Sequence, residues 1–147
     1  MRQFDIKRVQ QAFQWLQSEF EDTDVLQSVD DLINKMNAIN TTISWAYEMM
    51  ALAKKALNEA KEQAYIELNA SPVSKGKLYS PSLAKDYINS KCSKENFEFD
   101  LVERLCRSCV HVSDNLRTSI SVDWEESDRC HADSYGSIHI TANAAES

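Results

Sequence analysis

Val25, Val29, Leu32, Met36, Ile39, Ile43, Ala46, Met50, Ala53, Leu57, Ala60 and Ala64 follow one another at alternating steps of four and three residues, with no polar interruption. A heptad spacing held over more than five repeats specifies a left-handed helical seam rather than a general apolar face. One helix over residues 23–68 would reach about 65–70 Å at 1.5 Å per residue. Such a rod cannot stand alone in water, so a partner must cover the seam. The first half uses Val, Leu, Met and Ile; the second places alanines between Met50 and Leu57, and small residues let a second helix come close. Trp45, Tyr47, Met49 and Tyr65 widen the apolar surface, which allows for more than one packed neighbour.

The partner is expected after residue 97. Val102, Leu105, Cys109, Val112 and Leu116 repeat the three-and-four spacing, so the chain is predicted to fold back as an antiparallel pair. Between the two seams, Pro72, Gly76 and Pro81 gather with serines in the one clear loop. Ser80 followed by Pro81 is an N-cap and first-turn pair that restarts a helix through Leu83, Tyr87 and Ile88. Residues 90–96 read as a break or kink. Ahead of the long helix, Val9, Phe13, Leu16 and Phe20 make a short amphipathic helix. With two glycines and two prolines in 147 residues, a turn-rich sandwich or barrel is excluded.

The fold expected is therefore all-α: a long antiparallel helical hairpin, or coiled-coil-like bundle, with a short N-terminal helix and a flexible C-terminal tail. Residues 1–126 form one elongated domain with helices at about 4–20, 23–68, 81–91 and 97–124 and a loop at 69–80. Residues 127–147 are the tail, with a short strand at 137–141 as an alternative. A pair this slender offsets its ordering entropy only narrowly, so association into a homo-oligomer is expected. No apolar run approaches the roughly 18 residues of a membrane span, and the first twenty residues lack a signal-peptide core. A cytoplasmic location and reduced cysteines follow as expectations.

Charge is segregated along the chain. Net charge is −7, yet residues 51–100 hold eight lysines against seven acidic residues, while both flanks are acidic. Lys54, Lys55, Lys61, Lys75 and Lys77, interleaved with Tyr65 and Tyr79, would suit a polyanion: lysines track a phosphate backbone and aromatic rings stack on bases. Snorkelling lysines on a helical flank would look the same. The carboxylate pairs Asp30–Asp31 and Glu125–Glu126 fall on helix surfaces, where they serve as solvated faces or as a partner surface rather than an acid/base pair.

Cys106 and Cys109 lie three apart with His111 close by and are weak candidates for metal ligands. Cys109 also occupies a seam position that wants a small apolar filler, and that reading is preferred. Neither a strained serine elbow, a phosphate-cradling loop nor a His-Glu-x-x-His helix occurs. No catalytic site and no cofactor are expected.

The order of parts, a long helix ending in "ALAKKALNEAKEQAYIEL", a polar loop, then "YINSKCSKENFEFDLVERLCRSCVHVSDNLRTSISVDWEE" returning, resembles the UvsY-type recombination mediators of tailed phages. These are small, helical, ring-forming proteins that bind single-stranded DNA and help load a recombinase. The resemblance spans residues 45–126. It implies a non-enzymatic accessory role in recombination or replication, with the family's basic stretch falling on Lys54, Lys55 and Lys61; where such mediators continue with basic residues, this chain has Glu62 and Gln63. The alternative is an acidic helical interaction or inhibitor protein without nucleic acid, acting through Asp22, Asp24, Asp30, Asp31, Asp123, Glu125, Glu126 and Asp128.

Overall fold

A computed structural model describes the backbone of residues 2–20, 27–70 and 80–145 and the surroundings of side chains as far as residue 132. Among the described residues there are four helices and no strand: α1 (Ile6–Phe20), α2 (Val29–Ala70), α3 (Pro81–Lys91) and α4 (Ser93–Ala145). The all-α hairpin expected from the seams is what the chain adopts. At 42 and 53 residues, α2 and α4 extend about 63 and 80 Å at 1.5 Å per residue.

Each helix start has a chemical cause. Asp5 caps α1, its carboxylate accepting from the N–H groups of Lys7 and Arg8 at 3.0 and 3.4 Å. Ser28 caps α2, its hydroxyl oxygen accepting from the Asp31 N–H at 3.2 Å, and Asp30 and Asp31 then sit where the helix dipole favours negative charge. The start expected at residue 23 lies outside the described residues, as do Val25, Lys75 and Lys77. Ser80 caps α3, with Pro81 in the first turn and the Leu83 N–H donating to the Ser80 hydroxyl at 3.3 Å. These side chains satisfy donors that an α-helix leaves open at its N-terminus.

α2 and α4 are the principal pair and run antiparallel. Met36 faces Ser113, Met50 shares a groove with Cys106, and Leu57 and Ala64 cluster with Cys92 and Phe99, so numbers rise on one helix as they fall on the other. Leu32, Ile39, Ala46 and Ala53, each seven apart, are buried, as are Val102, Leu105 and Cys109 on α4. From Leu57 onward the buried positions are Leu57 and Ala64, on the other seam row, and Leu68 one turn further on. That shift coincides with a change of third helix.

At one end the third helix is α1, which buries Val9 and Leu16 against the main cluster. Arg2 pairs with Glu48, Arg8 lies over Trp45, and Lys35 reaches the Glu19 carbonyl, so α1 runs antiparallel to α2. Met49, which lies off the seam, is buried here because it shares a cavity with Phe4 and Arg8. At the other end α3 takes the third place, packing mainly on α2.

Two boundaries differ from the sequence reading. The break expected over residues 90–96 contracts to Cys92 alone, whose N–H still donates to the Ile88 carbonyl at 3.0 Å while its own carbonyl accepts from Asn96 at 2.9 Å. Helical bonding on both sides leaves no room for a longer interruption. The tail expected from residue 127, with its optional strand, is instead the continuation of α4 to Ala145. A lone strand would leave its N–H and C=O groups unpaired, whereas a helix pairs them within the segment; Gly136, without a proline nearby, costs only about 1 kcal/mol. Past the half-buried Ile120, every residue from 121 to 132 is exposed except the half-buried Asp123. α4 therefore runs on beyond the start of α2.

Candidate interaction surfaces

The lysines of the described residues run from the middle of α2 toward the loop end of the hairpin. Lys54 and Lys61 are seven residues apart and Tyr65 four further on, so all three share one stripe of α2. Lys54 and Lys55 are exposed, and Lys55 is 3.8 Å from Glu59, an exposed pair worth little. Tyr65 is 55% exposed. Lys61 is half-buried and close to Cys92: burial and then Glu95 push that thiol up from its ordinary range, and the Lys61 charge pulls the other way. Lys61 is thus close to the α3–α4 corner at Cys92, which Lys91 precedes and Lys94 follows in sequence. Lys91 lies over the Tyr87 ring at 5.7 Å. Three helices contribute cations to this end, with Glu59, Glu62 and Glu95 among them.

Acidic groups occupy the opposite end. Asp30 and Asp31 open α2, and the hairpin brings them near the projecting part of α4 that carries Asp123, Glu125, Glu126 and Asp128. Asp22 and Asp24 fall outside the described residues. Set among these carboxylates, Val122 and Trp124 are 47% and 58% exposed. An exposed tryptophan on an unburied helix is a larger departure from ordinary surface than the charges themselves.

Sequence reasoning missed a third surface. α1 packs chiefly on α4, which leaves a groove of about 810 Å³ between α1 and α2, lined by Arg2, Arg8, Gln11, Trp15, Trp45 and Glu48 among others. The Arg8 guanidinium is 5.5 Å from the Trp45 ring centroid. Trp45 Nε1 is buried and has no hydrogen-bond partner among the described residues. The available signal was a second stripe on α1, Arg8, Ala12 and Trp15, flanking the core stripe of Val9, Phe13 and Leu16.

The metal candidates do not converge. Cys106 and Cys109 are buried in the core, whereas His111 is exposed with its ring nitrogen 3.4 Å from the Asn115 amide. Among the described residues, no three His, Cys, Asp or Glu side chains are grouped to hold an ion. Burial, reinforced by Cys106, pushes the Cys109 thiol up to about 11; burial also raises Cys106, against a backbone hydrogen bond and with help from Glu103. A thiol held in its protonated form is an inert core filler.

A labelling pattern and a pH dependence follow. All four cysteines are thiols, Cys130 exposed and the other three buried. Iodoacetamide will modify Cys130 in the folded protein and reach Cys92, Cys106 and Cys109 only on unfolding, as read by peptide mass. The unfolded Cys109 thiol, with an ordinary value of 9.0, loses its proton before the folded one at about 11. Stability therefore declines as pH rises from 9 toward 11, which denaturant midpoints across that range will register.

No helix among the described residues is long and apolar enough to cross a membrane. No family model, curated protein or solved structure matches this chain.

Proposed function

We propose that this chain is a non-enzymatic, phage-type accessory protein of recombination or replication that binds single-stranded DNA at its lysine-bearing end and engages a recombinase partner. The observation carrying the reading is the alignment of Lys54, Lys61 and the exposed ring of Tyr65 on one stripe of α2, with Lys61 close to the Cys92 corner that joins the helices bearing Lys91 and Lys94. Cations spaced along a helix follow a flexible phosphate backbone, and an open tyrosine ring offers a stacking face to any base. The resemblance to UvsY-type mediators supports the same role.

Titration of a labelled oligothymidine by fluorescence anisotropy tests it. With four phosphate contacts, affinity falls about 50-fold between 50 and 200 mM salt. Lys54→Glu with Lys61→Glu flattens that slope and weakens binding at least about tenfold, and Tyr65→Ala costs about 1–3 kcal/mol. Absence of binding at the lower salt removes the reading.

A second reading, an acidic helical interaction or inhibitor protein without nucleic acid, is favoured by the exposure of Trp124 among carboxylates at the other end. It has its own requirement: a basic protein target retained by the acidic end, and no change in oligonucleotide anisotropy at any salt.

A further inference from the structure

The α1–α2 groove holds positive charge that is unpaired among the described residues and the projecting end of α4 is acidic, yet the two cannot meet on one molecule. We propose that the tryptophan-bearing acidic stretch of α4, residues 121–128, docks into the α1–α2 groove of a second copy of this chain.

The groove mixes half-buried apolar residues, Ala12, Trp15 and Trp45, with the exposed cations Arg2 and Arg8, and α2 adds Glu48 and the hydroxyls of Thr41, Thr42 and Ser44. Residues 2–8 carry Arg2, Lys7 and Arg8 against Asp5, a positive spot in a chain of net charge −7. Asp5 is turned to cap α1 and Glu48 is engaged by Arg2 at 2.8 Å. Arg8 has no carboxylate partner among the described residues and rests on Trp45. An arginine placed over an aromatic ring is preorganised to receive a carboxylate with its fork while the ring receives an apolar side chain.

The matching surface is the end of α4. Trp124 presents an open ring, Asp128 follows it one turn on along the same face, and Glu125 flanks it on the exposed side of the helix. A buried tryptophan with arginine–carboxylate contacts around it is the usual make-up of an interface centre. A groove of about 810 Å³ has room for the indole and the residues beside it.

The contact has to be between copies. Met36 and Met50 face Ser113 and Cys106, so Trp45 lies beside the part of α4 between those two residues. Trp124 is eleven residues past Ser113, about 16 Å farther along at 1.5 Å per residue. α4 is unbroken there and does not fold back. One groove and one projecting end per copy can pair reciprocally in a two-fold dimer or pass from molecule to molecule head to tail, and either arrangement raises the mass with concentration.

Sedimentation velocity on the full chain, without nucleic acid, tests this independently of the DNA reading. The expected result is a mass that rises with protein concentration at about 50 mM salt and falls back at about 500 mM, where surface charges are screened. Trp124→Ala weakens association at least about tenfold. Arg8→Glu alone, and Glu125→Lys with Asp128→Lys alone, each sediment as monomer, and mixing the two restores association because each supplies the half the other lacks. The lysine pair lies on an exposed stretch of helix, so it leaves folding intact even where Arg8→Glu does not. A monomer at every concentration overturns the proposal, including one that instead retains a basic protein at Trp124. Association that survives the lysine pair also overturns it, as does a mixture that stays monomeric.

Discussion

Leu105→Ala is expected to lower the unfolding free energy by about 4 kcal/mol, toward the upper part of the range for a buried leucine. The reason lies in what surrounds it. Leu105 is fully buried about a quarter of the way along α4, in one cluster with Ile39, Ala46, Met49, Ala53 and Val102. Two of those neighbours are alanines, which have no side chain to move into the space, and the α2 backbone is held by continuous helical bonding. The cavity therefore stays open rather than collapsing. Leu83, 60% exposed on α3, supplies the contrast: its replacement by alanine is expected to cost less than about 0.5 kcal/mol. Urea unfolding of both variants decides the matter, and similar small losses would mean that the alanine rows do not face Leu105.

Ala51→Pro should cost about 3 kcal/mol or more, although its methyl group is exposed and nothing packs on it. Proline removes an N–H from the helical ladder and collides with the preceding turn. The position sits near the middle of α2, between the part sheathed by α1 and the part sheathed by α3. Loss of a single backbone bond here loosens both halves, so far-ultraviolet ellipticity should fall together with the denaturation midpoint. Ala51→Gly, at about 1 kcal/mol, separates backbone entropy from breakage. A proline tolerated at this site would mean that α2 is two helices joined by a bend.

The hairpin was legible because its cause is periodic. Each of Leu32, Ile39, Ala46 and Ala53 could be placed on a seam from spacing alone, and each is buried. Ser80 and Pro81 announced α3 through backbone chemistry that depends on no distant contact. Met49 was only a neighbour of the seam, because its burial depends on Phe4 and α1, and tertiary neighbours leave no mark on a heptad. The reach of α4 was underestimated for a related reason: serines, aspartates and Gly136 weaken a helix without stopping it. Among the site residues, Lys54, Lys61 and Tyr65 could be aligned by their spacing. That Lys61 lies close to Cys92 depends on the one-residue corner there, which reads in sequence as a longer interruption. Asp30 and Glu125, nearly a hundred residues apart, share an end only through the antiparallel return.

The opposed charges at the two ends have a consequence set by distance. From Lys61 back to Asp31 is thirty residues of unbroken α2, about 45 Å at 1.5 Å per residue, against a Debye length of about 8 Å at physiological ionic strength. Neither end feels the other's field through solvent. A ligand held at one pole would leave the affinity at the opposite pole unchanged unless the rods themselves shift, so binding free energies at the two ends would add without coupling.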